Sequence, residues 1–201
     1  MIDALFGSKT RVKLLHLFLN HPGQSFYVRE ITRLIDEQIN SVRRELSNML
    51  EVGVITSDNA DNKLYYEVNQ RYEYYLALRA IFANESIDAT QTASKTEDEP
   101  NEQYVSAIKA VGSLRLAIVA GVLVRGSSSP LDVLLVGVIP TTKVKNIVQL
   151  IEKLEGREIN YSVLGYEEFY YRLSIRDKFI MQVINSKHSV IIDKDNVLSQ
   201  N

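Results

Sequence analysis

Apolar residues recur at helical spacing through the first fifty positions of the chain. Val12, Leu15, Phe18 and Leu19 form one stripe, Val28, Ile31, Leu34 and Ile35 a second, and Val42, Leu46, Met49 and Leu50 a third. Spacings of three and four residues put each set on one helix face. Ser8 is placed to cap the first helix, which runs to Leu19 and is stopped by Asn20-His21-Pro22-Gly23. The second helix covers about 28–35, a turn covers Asp36-Glu37-Gln38, and the third helix covers about 39–51, with Gly53 placed to end it. The period then changes. Val54 to Ser57 reads as a strand, 58–62 as a turn, and Lys63 to Val68 as the returning strand. A tyrosine-rich helix follows over about 71–83.

After an interruption, a second set of elements begins at residue 102. The pattern predicts a helix over 102–111, strands over 114–124 and 133–139, and an amphipathic helix over 141–154. A strand over 158–164, helices over 166–173 and 176–184, and a final strand over 190–192 complete it. The interruption, ESIDATQTASKTEDEP (85–100), holds one isoleucine and no larger hydrophobe. It cannot bury enough surface to offset its ordering entropy, so it reads as an acidic polar linker. The expected organisation is a first domain over 1–83, a linker over 84–101 and a second domain over 102–201. The fold class is α+β in the first domain and α/β with a small mixed sheet in the second.

Charge sharpens this division. The whole chain carries −2, too little for a general attraction to polyanions. Residues 1–83 are neutral, with ten basic and ten acidic side chains. Residues 84–103 carry −5 and residues 104–201 carry +3. The chain has no cysteine, which excludes disulfides and thiolate chemistry and fits a reducing compartment. Its longest apolar run, Leu116 to Val124, is nine residues, against about 20 for a membrane span. No basic-then-apolar leader pattern opens the chain. The expectation is a cytoplasmic protein with no membrane partner.

Against that neutral background, NSVRRELSNM (40–49) stands out. Its apolar members lie in one arc, and Asn40, Arg44, Ser47 and Asn48 cluster opposite, with Ser41 and Arg43 at the flanks. Arginines with short polar side chains hydrogen-bond base edges and phosphates; a plain solvated helix more often carries Glu/Lys pairs. The run VREITRLIDEQINSVRRELSNMLEVGVI (28–55), followed by KLYYEV (63–68), resembles bacterial and archaeal winged helix-turn-helix regulators of the ArsR/MarR type. That resemblance implies a third helix in the DNA major groove and a hairpin wing on the backbone. The DNA-binding residues it implies are Asn40, Ser41, Arg43, Arg44 and Ser47 on the helix and Lys63 on the wing. Lys9, Arg11, Lys13, Arg29 and Arg33 are further candidates for phosphate contacts, and a protein–protein module is the competing reading.

In the second domain, VAGVLVRGSSSPLDVLLVGVI (119–139) resembles the start of the nucleotidyltransferase fold of the DNA polymerase β superfamily. Active members carry two acids two residues apart on a strand, holding paired Mg²⁺ ions with a third acid. Here Pro130 stands in the first acid's place and Asp132 alone remains of the pair. Gly121-Val122 stands where Gly-Ser belongs, and Glu158 is the candidate third acid. The resemblance thus implies a retained fold without catalysis, no metal and no resident cofactor. Arg125, Ser127, Ser128, Asp132 and Glu158 would line the old nucleotide cleft, and the amides of 126–129 could cradle an anion. The combined expectation is a transcriptional regulator that binds double-stranded DNA as a homodimer. Its second domain would serve dimerisation or sensing of a small-molecule or nucleotide effector. The alternatives are a nucleotidyltransferase acting on a protein or small molecule and an antitoxin-like partner of a small helical toxin.

Overall fold

The computed structural model describes residues 5–60, 62–83 and 100–198. The chain divides into two compact units, Met1–Ser94 and Lys95–Asn201. Both mix helix with a small sheet, so the class is α+β. Residues 84–99 of the expected linker lie outside the described residues.

The first unit runs α1 (Lys9–Asn20), β1 (Phe26–Tyr27), α2 (Val28–Ile35), α3 (Ile39–Val52), β2 (Ile55–Ala60), β3 (Lys63–Val68) and α4 (Tyr75–Phe82). Ser8 caps α1, its Oγ accepting the Arg11 N–H at 3.2 Å. Gly53 ends α3 in the left-handed conformation, φ +84°, and its N–H donates to the Met49 and Leu50 carbonyls. Leu14, Phe18, Ile31, Val42, Leu46, Ile55, Tyr75 and Phe82 meet in one core. The three strands form an antiparallel sheet in the order β1-β3-β2.

Four details depart from the sequence reading. Strand β2 continues through Asp58 and Asn59 to Ala60, because each pairs with β3: Asp58 with Tyr65, Asn59 with Leu64, Ala60 with Lys63. Cross-strand pairing overrides the low strand preference of Asp and Asn. Strand β1 was too short to give a period, and it pairs Phe26 with Tyr66 and Tyr27 with Tyr65. Leu34, assigned to the buried stripe, is 56% exposed. The tyrosine-rich helix starts at Tyr75 rather than 71. Asn69 turns the chain first, with its Oδ1 accepting the Arg71 N–H and its backbone carbonyl the Tyr72 N–H.

The second unit runs α5 (Glu102–Lys109), β4 (Leu114–Val119), a 3₁₀ turn (Gly121–Leu123), β5 (Val133–Gly137), α6 (Thr141–Glu155), β6 (Tyr161–Leu164), α7 (Tyr166–Ser174), α8 (Lys178–Asn185) and β7 (Ser189–Asp193). The sheet order is β6-β5-β4-β7. β5 and β6 are parallel, joined by α6, and the other pairs are antiparallel. Both faces are covered, which is why β5 and β4 beyond the exposed Arg115 read as continuous apolar runs. Ala117, Val119, Val133 and Leu135 pack with residues of α5 and α6. Leu116, Ile118, Leu134 and Val136 pack with Phe169, Ile180 and Val183.

The strand expected through Val124 stops at Val119, because Gly121 (φ +52°) turns the chain into the 3₁₀ segment. The strand expected from Glu158 begins at Tyr161. No helix among the described residues is long and apolar enough to cross a membrane.

Candidate functional site

Helix α3 turns one arc inward and one outward. Val42, Leu46 and Met49 are buried in the first unit's core. Asn40, Arg43, Arg44 and Ser47 are exposed together on the opposite arc, and Ser41 is half-buried at its flank. The Arg44 side chain is 74% exposed, its guanidinium 3.9 Å from Glu45 Oε1. Such a separation at the surface contributes little holding energy. Asn48 is drawn off this face: it is half-buried, and its amide donates to Glu45 Oε2 at 3.4 Å. Glu51, also exposed, adds one acid toward the C-terminal end of the helix.

Glu45 is the residue sequence reasoning missed. It lies 60° from Val42 on the helix, at the edge of the apolar arc beside Met49, and it is buried. Arg11 of α1 meets it with two nitrogens, Nε at 3.0 Å and Nη2 at 2.9 Å. Burial pushes the carboxyl's pKa up, but hydrogen bonds from Ser8, Arg11 and Asn48 outweigh that and hold it below the ordinary glutamate value. An acid beside a buried arc requires a cation, and Arg11, 34 residues earlier on α1, supplies it.

Two of the basic residues considered for phosphate contact therefore have other work. Arg11 is engaged by Glu45 and by the Phe6 carbonyl. Lys13 bonds Glu37 at 2.8 Å and the Ile35 carbonyl at 2.7 Å, closing the C-terminal end of α2. The Lys13 contact, with a smaller opposing effect of burial, holds the Glu37 carboxyl below its ordinary pKa. Lys9, Arg29 and Arg33 are exposed.

The hairpin sorts its residues by strand alternation. Tyr66 and Val68 face the core, with Leu64, Ser57 and Asn59 on the same side farther out. Burial raises the Tyr66 phenol's pKa, and the positive charge of Arg43 opposes that rise. Lys63 belongs to the other face. Its ammonium stands 5.2 Å from the centre of the Tyr27 ring, and Tyr27 meets Tyr65 edge-on at 6.0 Å. The structure thus groups Asn40, Arg43, Arg44 and Ser47 and places Lys63 across the hairpin from Tyr66.

In the second unit, the residues expected to line a nucleotide cleft differ in exposure. Asp132 is fully buried. Its Oδ1 accepts the Val122 N–H at 2.8 Å and its Oδ2 the Asn160 N–H at 2.7 Å. It also exchanges backbone bonds with Ala120 and Asn160. The carboxylate therefore ties the 3₁₀ turn to the entry of β6. Gly121 makes this possible, since a Cβ there would collide with Asp132 Oδ1.

The serine loop is likewise bonded within itself. Ser127 Oγ accepts the Gly121 N–H at 2.9 Å. Ser129 Oγ donates to the Leu131 carbonyl at 2.8 Å and accepts the Leu131 N–H at 3.2 Å. Of the amides expected to cradle an anion, Ser127 N–H donates to the Val124 carbonyl at 3.1 Å and Ser129 N–H to Ser127 Oγ at 3.4 Å. Arg125, Ser128 and Glu158 are exposed. A cavity of about 380 Å³ touches Ser128 and Pro130, but its other walls are Lys178, Met181, Gln182, Asn185 and Ser186. Among the described residues, no group of three or more His, Cys, Asp or Glu is arranged to hold a metal ion.

Comparisons of the chain with protein-family models, curated proteins and solved structures find no match.

Proposed function

We propose that the first unit is a winged helix-turn-helix that binds double-stranded DNA, and that the protein is a transcriptional regulator. The observation carrying this reading is the outer arc of α3: Asn40, Arg43, Arg44 and Ser47 project together from a helix whose inner arc is locked in the core. Guanidinium and short amide or hydroxyl groups on a rigid helix suit bidentate bonds to base edges and charge-assisted bonds to phosphate. The rigidity comes from Glu45 and Arg11, which fasten α3 to α1. The unit's neutral balance makes binding depend on this local array rather than on overall attraction. Lys63, on the hairpin's outer face, would touch backbone rather than base.

A homodimer would set two copies of α3 about 34 Å apart, one turn of duplex. The second unit in this proposal is a scaffold and no nucleotidyltransferase. Support for that comes from Asp132, the one acid left at the expected metal position, whose two oxygens accept backbone N–H groups.

The test is a mobility-shift titration of the full chain on fragments of its native genome. Wild type should retard specific fragments at low salt. Arg43→Ala with Arg44→Ala should weaken that retardation by roughly a hundredfold, taking about 1–3 kcal/mol for each lost arginine contact. No retardation of any fragment at low salt would reject DNA binding and leave the protein-module reading of α3.

A further inference from the structure

Helices α7 and α8 are joined by a tight reversal. The Arg176 N–H donates to the Leu173 carbonyl at 3.0 Å and the Asp177 N–H to the Arg172 carbonyl at 2.9 Å, closing α7. Arg176 itself takes φ +52°. Glycine fills the comparable position after α3 (Gly53) and after α6 (Gly156). The other non-glycine residues at positive φ among those described are Asp36, Asn62 and Asn196, whose short polar side chains tolerate it. A long arginine has no such local compensation, so its presence there stores backbone strain.

Arg176 stands on the wall of a cavity of about 890 Å³, within the size range of small-molecule sites. Leu173, Met181, Ile184, Val197 and Leu198 supply apolar surface, and Asn185 and His188 supply polar groups. No aspartate or glutamate is among the lining residues. His188 Nδ1 lies 2.8 Å from the Ser186 carbonyl, a contact that holds the proton on Nδ1 and leaves Nε2 as the ring's other bonding atom.

Part of the wall is held by internal contacts. Asp193 accepts the Val197 and Leu198 N–H groups at 3.0 and 3.2 Å. Tyr170, also lining the cavity, packs against Tyr166 with ring centres 4.6 Å apart and planes tilted by 57°. Tyr166 in turn lies under the Arg115 guanidinium, which pairs with Asp195 at 2.6 Å. A wall already ordered loses little entropy when the cavity fills.

We propose that this cavity binds a small organic anion, a carboxylate borne on an apolar chain or ring. Arg176 meets the carboxylate and the leucine, isoleucine and methionine side chains line the remainder. The apolar lining disfavours bare inorganic anions, and an arginine without a lining acid disfavours neutral or cationic ligands. The site holds whether or not the first unit binds DNA.

Calorimetric titration of the full chain with octanoate, octanol and acetate tests it. Octanoate should bind saturably at one site, with octanol and acetate each at least about tenfold weaker. Arg176→Gly should weaken octanoate by roughly tenfold or more while melting no lower than wild type, because glycine relieves the strained φ. Arg176→Gln, which keeps the strain and removes the charge, should show the same loss of affinity. Absence of saturable octanoate binding, octanol binding as tight as octanoate, or wild-type affinity in either variant would each overturn the proposal.

Discussion

Glu45 carries a charge to the edge of the buried arc of α3, and its partners decide what that charge does. Two Arg11 nitrogens and the Asn48 amide surround it. A carboxyl held below its ordinary pKa in the fold contributes stability above the unfolded value and loses it as pH falls through the folded one. Acid unfolding should therefore begin as pH drops past the ordinary glutamate range. Glu45→Gln should flatten that limb and lower stability at neutral pH by about 1–3 kcal/mol, the cost of leaving Arg11 without its acid. Urea denaturation across pH reads both; a wild-type acid limb in Glu45→Gln would show that other carboxyls carry it. Sequence spacing located the outward face of α3, since Arg43, Arg44 and Ser47 follow from the positions of Val42 and Leu46. It did not reveal Glu45 as a fastener, because that role needs a contact 34 residues away.

At the scale of elements, legibility followed the strength of local signals. Helices α1, α2 and α3 were readable to within about one residue because each combines an apolar stripe with a definite end: Ser8, the turn at Asp36, Gly53. Gly53 should prove costly to replace. A Cβ there meets open space but must adopt φ +84°, so Gly53→Ala should destabilise the first unit by about 1–2 kcal/mol through backbone strain alone. Equilibrium denaturation checks this; an unchanged midpoint would mean that the helix end rearranges. Strands were less legible. β1 is two residues long, β2 recruits Asp58 and Asn59 by pairing, and the strand expected past Val119 is cut by Gly121. For β1 and Gly121 the decisive partner lies farther along the chain, Tyr65 and Tyr66 for β1 and Asp132 for Gly121; for β2 it is the facing strand of the same hairpin, whose pairing outweighs the weak strand preference of Asp58 and Asn59. The same limit hid the role of Asp132. The spacing of Ser129, Pro130 and Asp132 suggested a site, while the three-dimensional partners of Asp132, Val122 and Asn160, make it a tie.

Across the whole molecule, the two sets of apolar elements bury separate interiors: one cluster within residues 12–82, and two within residues 104–197, one on each face of the second sheet. Damage in one should stay there. Gly121→Ala forces a side chain against Asp132 at φ +52° and should destabilise the second unit by about 2–4 kcal/mol through strain and a broken buried tie. Amide exchange in α1 and α3 should remain as in wild type while β4 and β5 exchange faster; equal acceleration in both units would mean that they unfold together. The function proposed for the first unit rests on the outer arc of α3, and its electrostatic part has a numerical signature. The most direct measurement is the affinity of the full chain for a retarded genomic fragment as a function of salt, for wild type and for Arg43→Ala with Arg44→Ala. Log affinity should fall linearly with log salt in wild type, with a slope shallower in the double variant by roughly one for each arginine on phosphate. Identical affinity and slope in the two proteins would contradict the proposed function.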